Sequence, residues 1–269
     1  MRKLLLLASV TTLAALLLNA ANAQVPFGFR LLNLDGGTVA WNSWVGETKF
    51  TKVSYAFVKS RTDTPDATNS STLVPMDALL EKSRVAKDDF RKEVRAAFDM
   101  WEAAANITFT EVDDPAKAGV LIGAQAQPKG RAFANVAYKP SPAGGARSIE
   151  RSLICLNPDQ RWKIGFDGNL TAYDLRYTIA HEIGHAIGLD HPPGTGQLMH
   201  YRYEERFRTL QPGDIEGAVL LYGPPASQQT VTTVKTTPAP GVTPTPTPVA
   251  IANDPILAKA AARAAEQKK

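Results

Sequence analysis

The chain has 269 residues, 44% of them hydrophobic, and a formal net charge of +4. That is enough apolar material for one sizeable domain or two small ones, and it excludes a chain disordered throughout. The charge is too weak to argue for nucleic acid as a partner.

The first residues, "MRKLLLLASVTTLAALLLNAANAQ", set Arg2 and Lys3 before an apolar run from Leu4 to Leu18. The run ends in "ANA", with small residues at the two positions a signal peptidase inspects, so residues 1–23 are expected to be a signal peptide cleaved after Ala23. The run falls short of the roughly 20 apolar residues of a bilayer span, and no later segment reads as one, so stable membrane insertion is not expected. Cleavage removes Arg2 and Lys3 and no acidic residue, which takes the charge from +4 to +2. The implied destination is extracellular or periplasmic. A lone cysteine, Cys155, cannot form an intramolecular disulfide, so core packing or a metal must hold such an exported domain. Cys155 sits in the apolar run "SLICLN" and reads as a buried structural thiol.

Within residues 24–225 strand and helix patterns interleave. "KVSYAFV" alternates as a strand does. Phe90, Val94, Phe98, Trp101 and Ala105 recur at three- and four-residue steps and mark one face of a helix ending at Asn106. "ITFTEV" returns to period two, and "AGVLIGA", "RAFANVAY" and "RSLICLN" are further strands. The next long helix is expected from about Thr171 to Ile187, with Thr171 as N-cap. A last helix starts at Pro212, a residue suited to a first turn, and stops before Gly223.

The pattern predicts a mixed, α+β class. From Thr230 to Pro248, Thr and Pro fill thirteen of nineteen places, so residues 226–250 cannot bury enough apolar surface to fold and read as a linker. Residues 251–269 are a short basic Ala-rich tail, either a helix or a frayed terminus.

Three of the four histidines fall in one stretch, "HEIGHAIGLDH", from His181 to His191. On a helix His181 and His185 lie one turn apart on one face and can reach one ion, while Glu182 projects beside them. Gly188 permits the left-handed backbone that stops a helix, so the chain can turn and return His191 to the same ion. Three neutral imidazoles with an open fourth position describe catalytic zinc. Five fixed positions in eleven residues would arise by chance about once in three million starts, which sets aside a helix with incidental histidines. Asp190 reads as a solvated turn residue and His200 as an exposed loop side chain.

"HEIGHAIGLDH" followed by Met199 resembles the metzincin zinc-binding consensus with its Met-turn. The eight-residue step in "HPPGTGQLM", the stretch "FRTLQPGDIEGAVLLYG" and the stretch "VRAAFDMWEAAANITFTEV" resemble the matrixin branch, of the peptidase M10 type. The likeness runs from about Val53 to Gly223 and is looser between Gln125 and Gln160. It implies a twisted mixed five-stranded sheet, two long helices and a C-terminal helix. It implies His181, His185 and His191 as zinc ligands, Glu182 as general base and then acid, and Met199 as the floor beneath the metal. The chain is similar to the short secreted bacterial members, expected to be monomers that cut proteins or peptides.

The sequence also departs from that pattern. No Pro-Arg-Cys-Gly-type latency motif stands in residues 24–52, so a cysteine switch is not expected. One zinc ion is expected rather than two, since "LICLN" stands where a strand bearing ligands to a structural zinc is expected. Calcium loops are not recognisable, although "KPSPAGGAR" could donate carbonyls. Tyr201, two residues past Met199, is either a zinc contact, as in astacins and serralysins, or a wall of the cleft. The resemblance implies that Tyr177, one turn before His181 and on the same helix face, lies at the pocket for the side chain after the cut bond, where it partly fills that pocket, favouring Leu, Ile or Met, or else packs in the core; Tyr203 is a second pocket candidate. The rival reading is a zinc-binding or adhesion module that keeps the fold without cutting, against which an intact Glu182 speaks.

Overall fold

The computed structural model describes residues 28–41, 50–139 and 147–228. The expected signal peptide, most of the Thr/Pro linker, the tail and residues 140–146 of "KPSPAGGAR" lie outside the described residues.

Five longer strands carry the sheet: β1 (Thr51–Phe57), β2 (Ile107–Glu111), β3 (Val120–Gln125), β4 (Ala132–Lys139) and β5 (Arg147–Leu156). They run in the order β2-β1-β3-β5-β4, parallel except for β4, which pairs antiparallel with β5. This is the mixed five-stranded sheet expected, and short strands extend it to nine. β3 is buried at every position, as a strand covered on both faces must be. Among the described residues, none pairs with the outer edge of β4, whose row of backbone donors and acceptors faces a cleft.

Four α-helices share one core with one face of the sheet: α1 (Asp77–Ser83), α2 (Lys87–Ala104), α3 (Leu175–Ala186) and α4 (Pro212–Tyr222). α2 buries Phe90, Val94, Phe98 and Trp101, the residues whose spacing announces it, and it ends at Ala104 rather than Asn106. The Phe98 ring stacks on Tyr55 of β1 at 4.3 Å between centroids, locking helix to sheet. Trp101 Nε1 donates to the Ala180 carbonyl at 2.9 Å, so the α2–α3 contact is hydrogen-bonded as well as apolar. Cys155 is fully buried on the opposite face of the sheet, among Val58, Leu73, Leu121 and Leu153, and burial pushes its thiol up to about 12, as fits an inert structural residue.

α3 begins at Leu175, capped by Asp174, whose carboxylate accepts from the Tyr177 amide at 2.8 Å. The Thr171 N-cap is therefore corrected. Ala172–Asp174 is held extended by pairing with Arg161–Lys163, a non-local ladder that overrides a local capping preference. Asp174 also takes both Arg208 Nε and Nη2, and Arg208 shares Glu93 of α2 with Arg176 of α3. This buried network ties two helices to the segment that follows Met199.

The N-terminal stretch docks late in the chain. Arg30–Leu31 pairs antiparallel with Leu189–Asp190, and the Leu32 amide donates to the Gly188 carbonyl at 2.8 Å. A Cβ added to Gly28 would sit 2.8 Å from the Gly213 Cα at the first turn of α4, so the two backbones meet where neither residue has a side chain.

Candidate active site

α3 ends where its sequence says it must. Gly188 has φ +103°, a conformation L residues resist, and a Cβ there would overlap the Val39 carbonyl. The reversal returns His191 to the helix, and the three imidazoles gather with one ligand atom each within 4.8 Å of the others. His181 Nε2 and His185 Nε2 both lie 3.1 Å from His191 Nε2.

Their second nitrogens fix the chemistry. His181 Nδ1 is 2.8 Å from the Leu198 carbonyl and His185 Nδ1 is 2.8 Å from the Leu189 carbonyl. A carbonyl only accepts, so each Nδ1 carries the proton and each Nε2 turns a lone pair inward. Burial and mutual repulsion hold the rings neutral: His181 lies well below its ordinary range, His185 is lowered to about 4, and His191 is lowered too. Inward lone pairs 3.1 Å apart suit a shared cation, and a set of three imidazoles suits zinc.

Glu182 is buried beside them. Burial raises its carboxyl to about 7, opposed by the charge of Arg131 and by the Ala134 amide. Met199 is fully buried against the histidine-bearing helix, where Gly184 leaves room for its sulfur: a Cβ at Gly184 would overlap Sδ. The turn holding Met199 hangs from Asp214, whose carboxylate accepts from the amides of Leu198 (2.8 Å), Met199 (3.0 Å) and Gln211 (2.8 Å).

The cleft above the triad encloses about 580 Å³, bounded by residues 131–136 along β4, by His181, Glu182, His185 and His191, and by Leu32, Leu34, Thr68 and Asn69. Tyr201 also lines it, 55% exposed, with its hydroxyl accepting from Arg202 Nε at 2.9 Å and its ring 6.4 Å from that of His191. Asp190 caps the His191 amide at 2.7 Å and pairs with Arg30, so it is engaged on both oxygens rather than simply solvated.

His200 and Tyr203 sit where local reading does not put them, and Tyr177 takes the core alternative. His200 is 5% exposed, not an exposed loop residue, and it stays outside the triad. Tyr177 is 1% exposed, its ring set edge-on to Tyr203 at 5.1 Å, and it packs in the core rather than along the cleft. Tyr203 accepts from the Asp174 amide at 2.9 Å and donates to Glu205 at 2.8 Å, which makes it a tie between segments. Sequence reasoning missed Asp214 and Arg131; Asp214 had a local signal, as the third helical residue after Gln211 in a reciprocal capping box.

An α+β fold carrying a His-Glu-x-x-His helix and a returning third histidine defines a metzincin-type domain. The chain belongs to the matrixin family, whose model matches residues 74–223. Matrixins are zinc enzymes, and the triad offers such an ion three ligands. Similar curated proteins include matrix metalloproteinase-16 of Homo sapiens, 31% identical over 162 residues, covering 53% of this chain and 25% of that protein. Karilysin of Tannerella forsythia is 28% identical over 153 residues, covering 54% and 31%. Interstitial collagenase of Sus scrofa is 28% identical over 148 residues, covering 52% and 29%. The chain thus spans less than a third of the length of these relatives.

Proposed function

We propose that the chain is a secreted zinc-dependent endopeptidase, with residues 24–225 as the peptidase domain and residues 226–250 as a linker to the tail. The observation that supports this best is the convergence of three Nε2 atoms, two of them with lone pairs turned inward, beside a buried Glu182 in an open cleft. His181, His185 and His191 would hold one zinc ion. When bound, zinc brings the pKa of its water to about 7 and polarises a carbonyl.

The remaining work falls to the chain. The free edge of β4 binds an extended peptide by backbone hydrogen bonds, which align it without reading its sequence. Glu182, held near neutrality by burial, accepts a proton from the attacking water and delivers it to the leaving amine nitrogen. No covalent acyl intermediate is needed. Met199 and Asp214 keep the floor and the His181 carbonyl partner in register, because the Leu198 carbonyl that orients His181 belongs to the same turn. A module that binds zinc without cutting has no use for a buried carboxylate at Glu182.

The test is to incubate the zinc-loaded protein with a casein or gelatin mixture, with and without a chelator, and to sequence the cleaved bonds. Internal cleavage abolished by chelation and restored by zinc is expected. Undiminished cleavage in chelator, or none at any zinc level, would overturn the proposal.

A further inference from the structure

Arg131 immediately precedes β4, on the wall of the cleft that also contains His181 and Glu182. Its main-chain carbonyl accepts from the Asn157 amide at 3.0 Å, which fixes the backbone. Its guanidinium reaches across to an aromatic cluster, with Cζ 5.4 Å from the Tyr173 centroid and 5.7 Å from that of Tyr203. Those ring faces hold the group in place and neutralise none of its charge.

The group's donors are unspent. Nε is closed off from solvent and has no hydrogen-bond partner. Asp174 and Glu205, both hydrogen-bonded to the Tyr203 hydroxyl, are committed to other cations, Asp174 to Arg208 and Glu205 to Lys163. Asp190, which lines the same cleft, is paired with Arg30. Glu182 feels the charge of Arg131 but makes no ion pair with it. Here Nε is a buried donor without an acceptor, which is costly, on a residue that lines the same cleft as Glu182.

We propose that Arg131 sets the specificity of the cleft by binding the side-chain carboxylate of a substrate Asp or Glu beside the scissile bond. A planar guanidinium meets a carboxylate through two parallel hydrogen bonds, and an amide of the same shape cannot replace both. The substrate class is therefore acidic peptide segments, in place of the Leu, Ile or Met preference that a pocket built around Tyr177 would give. The proposal rests on the peptidase reading of this cleft.

Two measurements test it and separate it from that reading. In the first, the zinc-loaded protein cuts a peptide library, and Asp or Glu is expected next to the cut bond about tenfold or more above Asn or Gln. Arg131→Gln should bring the ratio close to one while still cutting neutral peptides, Arg131→Lys should fall between, and Arg131→Glu should favour Lys and Arg. In the second, fluorescence polarisation follows the binding to Glu182→Gln protein of two peptides that differ only as Glu against Gln. The Glu peptide should bind more tightly, lose that advantage in added salt, and lose it again when Arg131→Gln is added. Melting temperatures identify any variant that fails to fold, and the Arg131→Lys series then carries the comparison. Binding that discriminates without any cleavage would sink the peptidase reading and keep this one. No acidic preference in either measurement, or one unchanged by Arg131→Gln, overturns the proposal.

Discussion

Met199 packs against the histidine-bearing helix because Gly184 has no side chain: a Cβ at residue 184 would overlap the Met199 Sδ and lie 3.0 Å from Trp101 Cζ2. Helix and turn are packed through that one missing methyl. Gly184→Ala would gain about 1 kcal/mol of helix propensity in open space. Overpacking costs about 1–3 kcal/mol. A lower melting temperature together with reduced zinc content is the expected outcome, and a stabilised variant with full zinc would show that the Met-turn yields easily.

Asp214 carries three amides on two buried oxygens. Asp214→Asn keeps the shape but offers one acceptor oxygen, so at least one amide loses its partner, at a cost of about 2–4 kcal/mol. Urea unfolding measures the loss. Since the turn also supplies the Leu198 carbonyl to His181, zinc affinity should fall in the same variant. A stability loss with unchanged zinc affinity would separate the two roles.

The ligands and the proposed base divide cleanly under mutation. Zinc at a thousandfold excess over its Kd should stabilise the protein by about 4 kcal/mol, read as a rise in melting temperature. His185→Ala should lose that rise and the activity together, whereas Glu182→Ala should keep the rise and lose most cleavage. Equal zinc loss in the two would refute the assignment of Glu182 as a base only.

Tyr177 is a core residue, so its truncation is expected to act on the whole fold. Tyr177→Ala should cost about 3–5 kcal/mol. Tyr177→Phe, which keeps the ring against Tyr203, should change stability by only about 1 kcal/mol and leave the cleavage profile alone. A shifted profile in the Phe variant would return this residue to the substrate pocket.

Much of the fold was legible because period and spacing are local properties. Phe90, Val94, Phe98 and Trp101 announce α2 and are all buried, and Pro212 and Gly223 bracket α4. The histidine spacing likewise gathers the triad, since a helix turn and a glycine reversal are all it needs. What escaped depends on partners far along the chain. The start of α3 was displaced by pairing with Arg161–Lys163, and Arg131 acquires its situation from Tyr173 and Tyr203. α3 is also buried nearly all round, so sharing a face with His181 does not aim Tyr177 into the cleft.

The meeting of Gly28 with Gly213 makes the first described residues wait for the last helix. The Arg30–Leu31 ribbon likewise has nothing to pair with until Leu189–Asp190 exists, whereas Asn33–Leu34 already folds back on Gly37–Thr38. Closing a loop of such sequence separation is slow compared with forming a helix. On a chain growing from its N-terminus, the sheet and α2 can assemble while the cleft is still open on one side. The geometry thus orders events in time: the Arg30–Leu31 pairing can form only after the histidine-bearing segment has been synthesised.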